Sequence, residues 1–142
     1  MKDIKIYRVS YSPGYGDMLG GYHKSTLKKD KDGNWICVCT DRNVHNEPDV
    51  VTTYRVSPEA VGQFERFITD NKIFSLEKRP KSDLFMTDYS PWNWNIDYDT
   101  TSFGKPKRIY CSFGEYKKYS ANDYKLLEKL LERFLSLRKD KI

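Results

Sequence analysis

Cys37 and Cys39, two residues apart, put two sulfurs on one face of an extended segment, and Cys111 is the third cysteine of the chain. Thiolates at that spacing raise the question of zinc. Zinc takes four ligands, usually in pairs two to four residues apart, and a CxC on an apolar strand supplies less than that. A free cysteine otherwise behaves as a small buried hydrophobe, so no metal is expected here. The stretch "DRNVHNEPD" (41–49) sets His45 among Asp41, Glu47 and Asp49. A histidine among carboxylates can do acid–base work or hold a divalent ion, although most polar loops of this kind are solvated surface. "SPGYGDMLGG" (12–21) holds four of the eight glycines. A dinucleotide fingerprint needs a third glycine where a helix begins. Here Leu19 occupies that place and a polar strand follows, so the glycines are expected to turn the chain and no cofactor is implied.

The basic residues are the more distinctive feature. The formal net charge is +5. Residues 1–104 carry 14 basic and 15 acidic side chains, whereas residues 105–142 carry 11 basic and 5 acidic, a net +6. Lys125, Lys129 and Arg133 recur every four residues, and Lys105, Lys107, Arg108, Lys117 and Lys118 extend the series. Like charges at that helical spacing repel by roughly a few tenths of a kcal/mol, and Glu128 and Glu132 interrupt the series. The chain lacks the aromatic core motif of an RRM, a helix-turn-helix and a zinc-finger pattern. The leading expectation is a non-enzymatic interaction module that presents these eight residues to an acidic protein. A nucleic-acid-binding domain is the alternative, and a small hydrolase or ligand-binding domain built on the His45 loop is a third.

Positioning any of these groups requires the following elements. "IKIYRVSY" (4–11), "YHKSTLKK" (22–29), "WICVCT" (35–40) and "VVTTYRVS" (50–57) read as strands from their β-branched and aromatic content. Asp32-Gly33 predicts a hairpin between the second and third. Ser57-Pro58 opens a helix whose Val61, Phe64 and Ile68 share one face, with a stop at Asn71. Residues 77–91 read as a long loop. "WNWNIDYD" (92–99) alternates strictly, with Trp92, Trp94, Ile96 and Tyr98 on the buried side. Asn93, Asn95, Asp97 and Asp99 face solvent, with Asp97 or Asp99 opposite Lys107 or Arg108 in the partner strand "KRIYCSF" (107–113). Ser120 with Asp123 caps a last helix, whose stripe is Leu127, Leu130, Leu131, Phe134 and Leu137.

"DGNW", "TYRVSPEAVGQFERFI", "YSPWNWNIDYD" and "KPKRIYCSFGEY", in that order after the glycine-rich turn, resemble the pattern of a set of small bacterial domains. The resemblance implies a fold and no activity. The expected fold is a single α+β domain over 1–142, a mainly antiparallel sheet of about six strands in the order β-β-β-β-α-β-β-α, with both helices on one face. Three tryptophans, seven phenylalanines and eleven tyrosines compensate for an apolar fraction of only 38% in building its core. Mean hydropathy is −0.78 and no apolar run is long enough to span a bilayer. With an odd number of cysteines and no leader-like start, the expected location is the cytoplasm.

Overall fold

The alternation that begins at Trp92 forms a ten-residue strand, and the whole sheet is organised around its pairing. The structure, a computed structural model, describes residues 4–14, 22–42, 47–82, 92–102 and 104–142. Four strands run as an antiparallel meander: β1 (Ile4–Ser12), β2 (Tyr22–Lys29), β3 (Trp35–Arg42) and β4 (Val50–Arg55). Helix α1 (Pro58–Asp70) and a 3-10 turn (Ile73–Lys78) lead back to β5 (Asn93–Ser102) and β6 (Lys105–Gly114). Helix α2 (Ala121–Leu135) and a two-residue β7 (Asp140–Lys141) close the chain. β5 inserts beside β1, giving the antiparallel order β6-β5-β1-β2-β3-β4-β7.

The architecture is α+β as expected, with seven strands rather than about six. β7 is too short to leave a periodic signature. The 3-10 turn opens the connection that leaves α1, and Ile73 and Leu76 are fully buried there. Both helix starts follow their caps. The Ser57 hydroxyl accepts from the Ala60 N–H at 3.1 Å, and Pro58 supplies the first helical φ. Ser120 and Asp123 exchange bonds of 3.1 and 3.0 Å, so aspartate does complete the capping box. Asp30 holds the β2–β3 turn by accepting from Asp32 N–H and Asn34 N–H, and Gly33 takes φ +85° there. Gly14 likewise has a positive φ. The rest of the glycine run and His45 lie outside the described residues.

One face of the sheet carries the core. Val9, Leu27, Cys37, Ile96 and Phe113 meet Val61, Phe64 and Ile68 of α1 and Leu130 and Phe134 of α2. Trp94 meets Phe134 edge-on at 5.2 Å, and Phe64 lies 5.9 Å from the same ring. Apart from Ser10, every buried strand side chain among the described residues points to this face. The opposite face presents Arg8, Lys28, Asn95, Asp97, Arg108 and Tyr110. No described helix is long and apolar enough to cross a membrane.

Candidate functional site

β1 contains the irregularity on which the site depends. Its pairing with β5 slips between Ile6, opposite Tyr98, and Arg8, opposite Asp97. Tyr7 is the extra residue of a β-bulge. In a regular strand Lys5 and Arg8, three apart, would face opposite ways. The bulge puts both on the face of their partners Asp99 and Asp97. The Ile6 N–H beside it donates to Glu65 Oε2 of α1 at 2.8 Å.

A cleft of about 630 Å³ opens around this bulge. Among the described residues five cations line it: Lys5, Arg8, Lys28, Lys29 and Arg108. Tyr7 and Trp35 supply aromatic wall, and Glu65 and Asp97 are the carboxylates among these residues. Both are already engaged. Arg108 grips Asp97 through two bonds, Nε–Oδ1 at 2.9 Å and Nη2–Oδ2 at 2.6 Å, which holds that carboxyl below the usual aspartate range. The same guanidinium stacks 4.4 Å from the centre of the Tyr7 ring, whose hydroxyl donates to Asp99. Lys29 Nζ sits 5.4 Å from the Trp35 ring. The arrangement suits recognition of negative charge beside an apolar surface, and its volume is that of an ordinary ligand site.

Burial pushes the Glu65 carboxyl up, against the opposing bond from Ile6 N–H and the charges of Lys5 and Lys29. Folding therefore disfavours its ionised form. Its contribution to stability is present below the ordinary glutamate range, about 4.3, and is lost as pH rises through the folded value. Glu65→Gln keeps an acceptor for Ile6 N–H and abolishes that slope. Urea midpoints compared near pH 4 and near pH 7 are expected to show the variant gaining on the native chain as pH rises. An equal difference at both values would mean that Glu65 is not desolvated.

The eight basic residues singled out from the sequence lie on different elements. Lys107 shares the helix-side face of β6 with Ile109 and Cys111, whereas Arg108 shares the open face with Tyr110. Lys117 Nζ donates to the main-chain oxygens of Glu77 and Arg79 and is a structural clasp. Lys118 follows it, its N–H bonded to Pro80 O at 2.8 Å. Lys125 and Lys129 lie on the exposed side of α2, and Arg133 lies over the Phe67 ring at 5.4 Å. Lys105 begins the edge strand β6. Of the eight, Arg108 alone lines the bulge cleft. The other four cations there escaped sequence reasoning because a bulge leaves no compositional mark.

Among the residues near the His45 stretch, Asp41 Oδ1 lies 2.8 Å from His23 Nδ1, and Asp49 pairs with Arg42 at 3.6 Å. Among the described residues no cluster of three or more histidine, cysteine or acidic side chains could hold a metal ion. The three cysteines are free and buried. No family model matches the chain, and no curated protein matches it.

Proposed function

We propose that this chain is a non-enzymatic binding module that takes an acidic segment of a partner protein at the bulge cleft. One observation carries the reading: among the described residues five cations line the cleft, and the two carboxylates there are committed to Ile6 N–H and to Arg108. An incoming aspartate or glutamate would meet Arg8, Lys28 and Lys5 at the open mouth, while an apolar neighbour on the partner covers Tyr7 or Trp35. Rim charges of this kind set encounter rate and specificity more than raw affinity. The surface differs from the C-terminal series that the sequence suggests, and Arg108 belongs to both. Three reduced cysteines agree with a cytoplasmic location for such a module.

A fluorescein-labelled poly-glutamate peptide titrated with the full chain tests this. Reversing two cleft charges, Arg8→Glu with Lys28→Glu, is expected to weaken binding about tenfold or more. Lys125→Glu with Lys129→Glu on the outer side of α2 is expected to leave it unchanged. Equal effects of the two pairs would mean that only net charge is sensed and would remove the cleft from the argument. A second reading has its own observation. Tyr7 and Tyr110 are 44% and 64% exposed, and they share a sheet face with Arg8, Lys28 and Arg108, as single-strand nucleic-acid platforms do. A single-stranded oligonucleotide that binds more tightly than the peptide, with steep salt dependence, would establish that reading instead.

A further inference from the structure

Arg8 on β1 and Lys28 on β2 stand directly opposite each other on the open face of the sheet, and both line the bulge cleft. Cross-strand partners begin about 4.5–5.5 Å apart, and like charges so placed are destabilising. Asp97 lies opposite Arg8 on its other side, but both of its oxygens are bonded to the Arg108 guanidinium. Across the sheet from Lys28 come Ile36 and then Arg55. Asp30, two residues beyond Lys28, already accepts from Asp32 N–H and Asn34 N–H. Among the described residues neither Arg8 nor Lys28 forms an ion pair.

The cleft as a whole is under-neutralised in the same sense. Among its described lining residues five cations stand against two carboxylates, a net +3. A carboxylate side chain returns one negative charge and two acceptor oxygens. A phosphomonoester brings about −1.5 to −2 at neutral pH, with three strong acceptor oxygens. Arg8 offers a planar fork of donors that matches two phosphate oxygens, and Lys28 offers a point charge on a flexible stem for the third. The volume of about 630 Å³ has room for a phosphoryl group and the side chain that carries it, with Tyr7 and Trp35 beside the apolar part.

We infer that the anion taken by this cleft is a phosphomonoester on the acidic segment, held between Arg8 and Lys28. The inference rests on the binding reading above and adds the chemistry of the ligand to it. A phosphodiester carries a single charge and fits no better than a carboxylate, so the match is to a phosphorylated side chain and not to a nucleic-acid backbone. Attachment and removal of the phosphoryl group on the partner then set occupancy of the cleft.

Three fluorescein-labelled peptides, titrated with the full chain and read by fluorescence anisotropy, test this. They share one acidic sequence with serine, glutamate or phosphoserine at its centre. At neutral pH the phosphoserine peptide is expected to bind about tenfold more tightly than the glutamate peptide. That ratio is expected to fall as pH drops through about 6, where the phosphoryl group loses its second charge. Titration of Glu65, which faces Lys5 and Lys29 in the same cleft, acts on both peptides and cancels in the ratio. Arg8→Gln is expected to reduce the ratio to about two or less. Because it removes one of two opposed like charges, it is also expected to leave the urea midpoint unchanged or higher. Equal affinity for the phosphoserine and glutamate peptides, or a ratio that Arg8→Gln leaves intact, would overturn the phosphate assignment and leave the acidic-segment reading standing. Failure of all three peptides to bind would overturn that reading and the inference with it. Inorganic phosphate is the competitor, and displacement of the phosphoserine peptide is expected only at large excess. Displacement at equal concentration would assign the site to free phosphate and overturn the phosphorylated segment.

Discussion

Trp94→Ala is expected to destabilise the protein by about 3–5 kcal/mol, the range for truncating a large aromatic in a core. That is a large share of the roughly 5–15 kcal/mol that holds an ordinary domain together. Trp94 is 1% exposed and sits where the central strands, α2 and β1 converge. Its ring meets Phe134 edge-on at 5.2 Å and Tyr11 at 4.4 Å, and Phe134 in turn meets Phe64 of α1. The indole therefore joins both helices to the sheet, and its loss leaves a void bordered by rings that relax poorly. Trp94→Phe retains the contact with Phe134 and is expected to lose less than half as much. Urea denaturation followed by far-UV circular dichroism measures both. A loss under about 1 kcal/mol for the alanine variant would show that the neighbours collapse into the space.

The elements around Trp94 are legible in the sequence because each obeys a single period. Trp94, Ile96 and Tyr98 alternate, and Val61, Phe64 and Ile68 repeat at helical spacing, so burial follows from local pattern. The cleft is not legible, for two physical reasons. Lys5 and Arg8 share a face only because Tyr7 is an extra residue, and the parity of a strand inverts at a bulge. Glu65 reads as an ordinary polar helix position, yet its carboxylate accepts from the main-chain N–H of Ile6 on β1.

The position of β6 explains the C-terminal basic residues in the same terms. Sequence order alone does not reveal that β5 inserts beside β1 and leaves β6 at the edge. The later half of that edge is covered: Ser112 N–H donates to Glu77 Oε2 at 2.7 Å, and Lys117 clasps the 3-10 turn. Its earlier half carries Lys105, Pro106, Lys107 and Arg108. Lysine and proline are the residue types that keep an open edge from pairing with another chain. Part of the net +6 charge after residue 104 thus has an architectural cause, whereas cations from β1, β2 and β6 converge at the bulge cleft.

Asp123→Ala is expected to destabilise the protein by about 3 kcal/mol, far more than a capping residue alone contributes, about 1 kcal/mol. Asp123 is 7% exposed, and its carboxylate serves two separate segments. It closes the capping box by accepting from Ser120 N–H at 3.0 Å, and it accepts two bonds from Arg79, at 2.9 and 3.1 Å, where the 3-10 turn ends. Alanine leaves the Arg79 guanidinium, itself only partly exposed, without its counter-charge. Asp123→Asn separates the two roles, because it keeps an acceptor for Ser120 N–H and loses the charge. Arg79, and after it the Ser120 N–H, hold the Asp123 carboxyl below the usual aspartate range against the effect of burial. The stability this supplies is present above about pH 4, the unfolded value, and is lost as pH falls through the folded one. Urea midpoints of the native chain and Asp123→Asn are therefore expected to differ most near neutrality and to converge in acid. A gap that stays constant from neutrality to about pH 2 would assign the whole effect to packing and the cap, and none to the ion pair with Arg79.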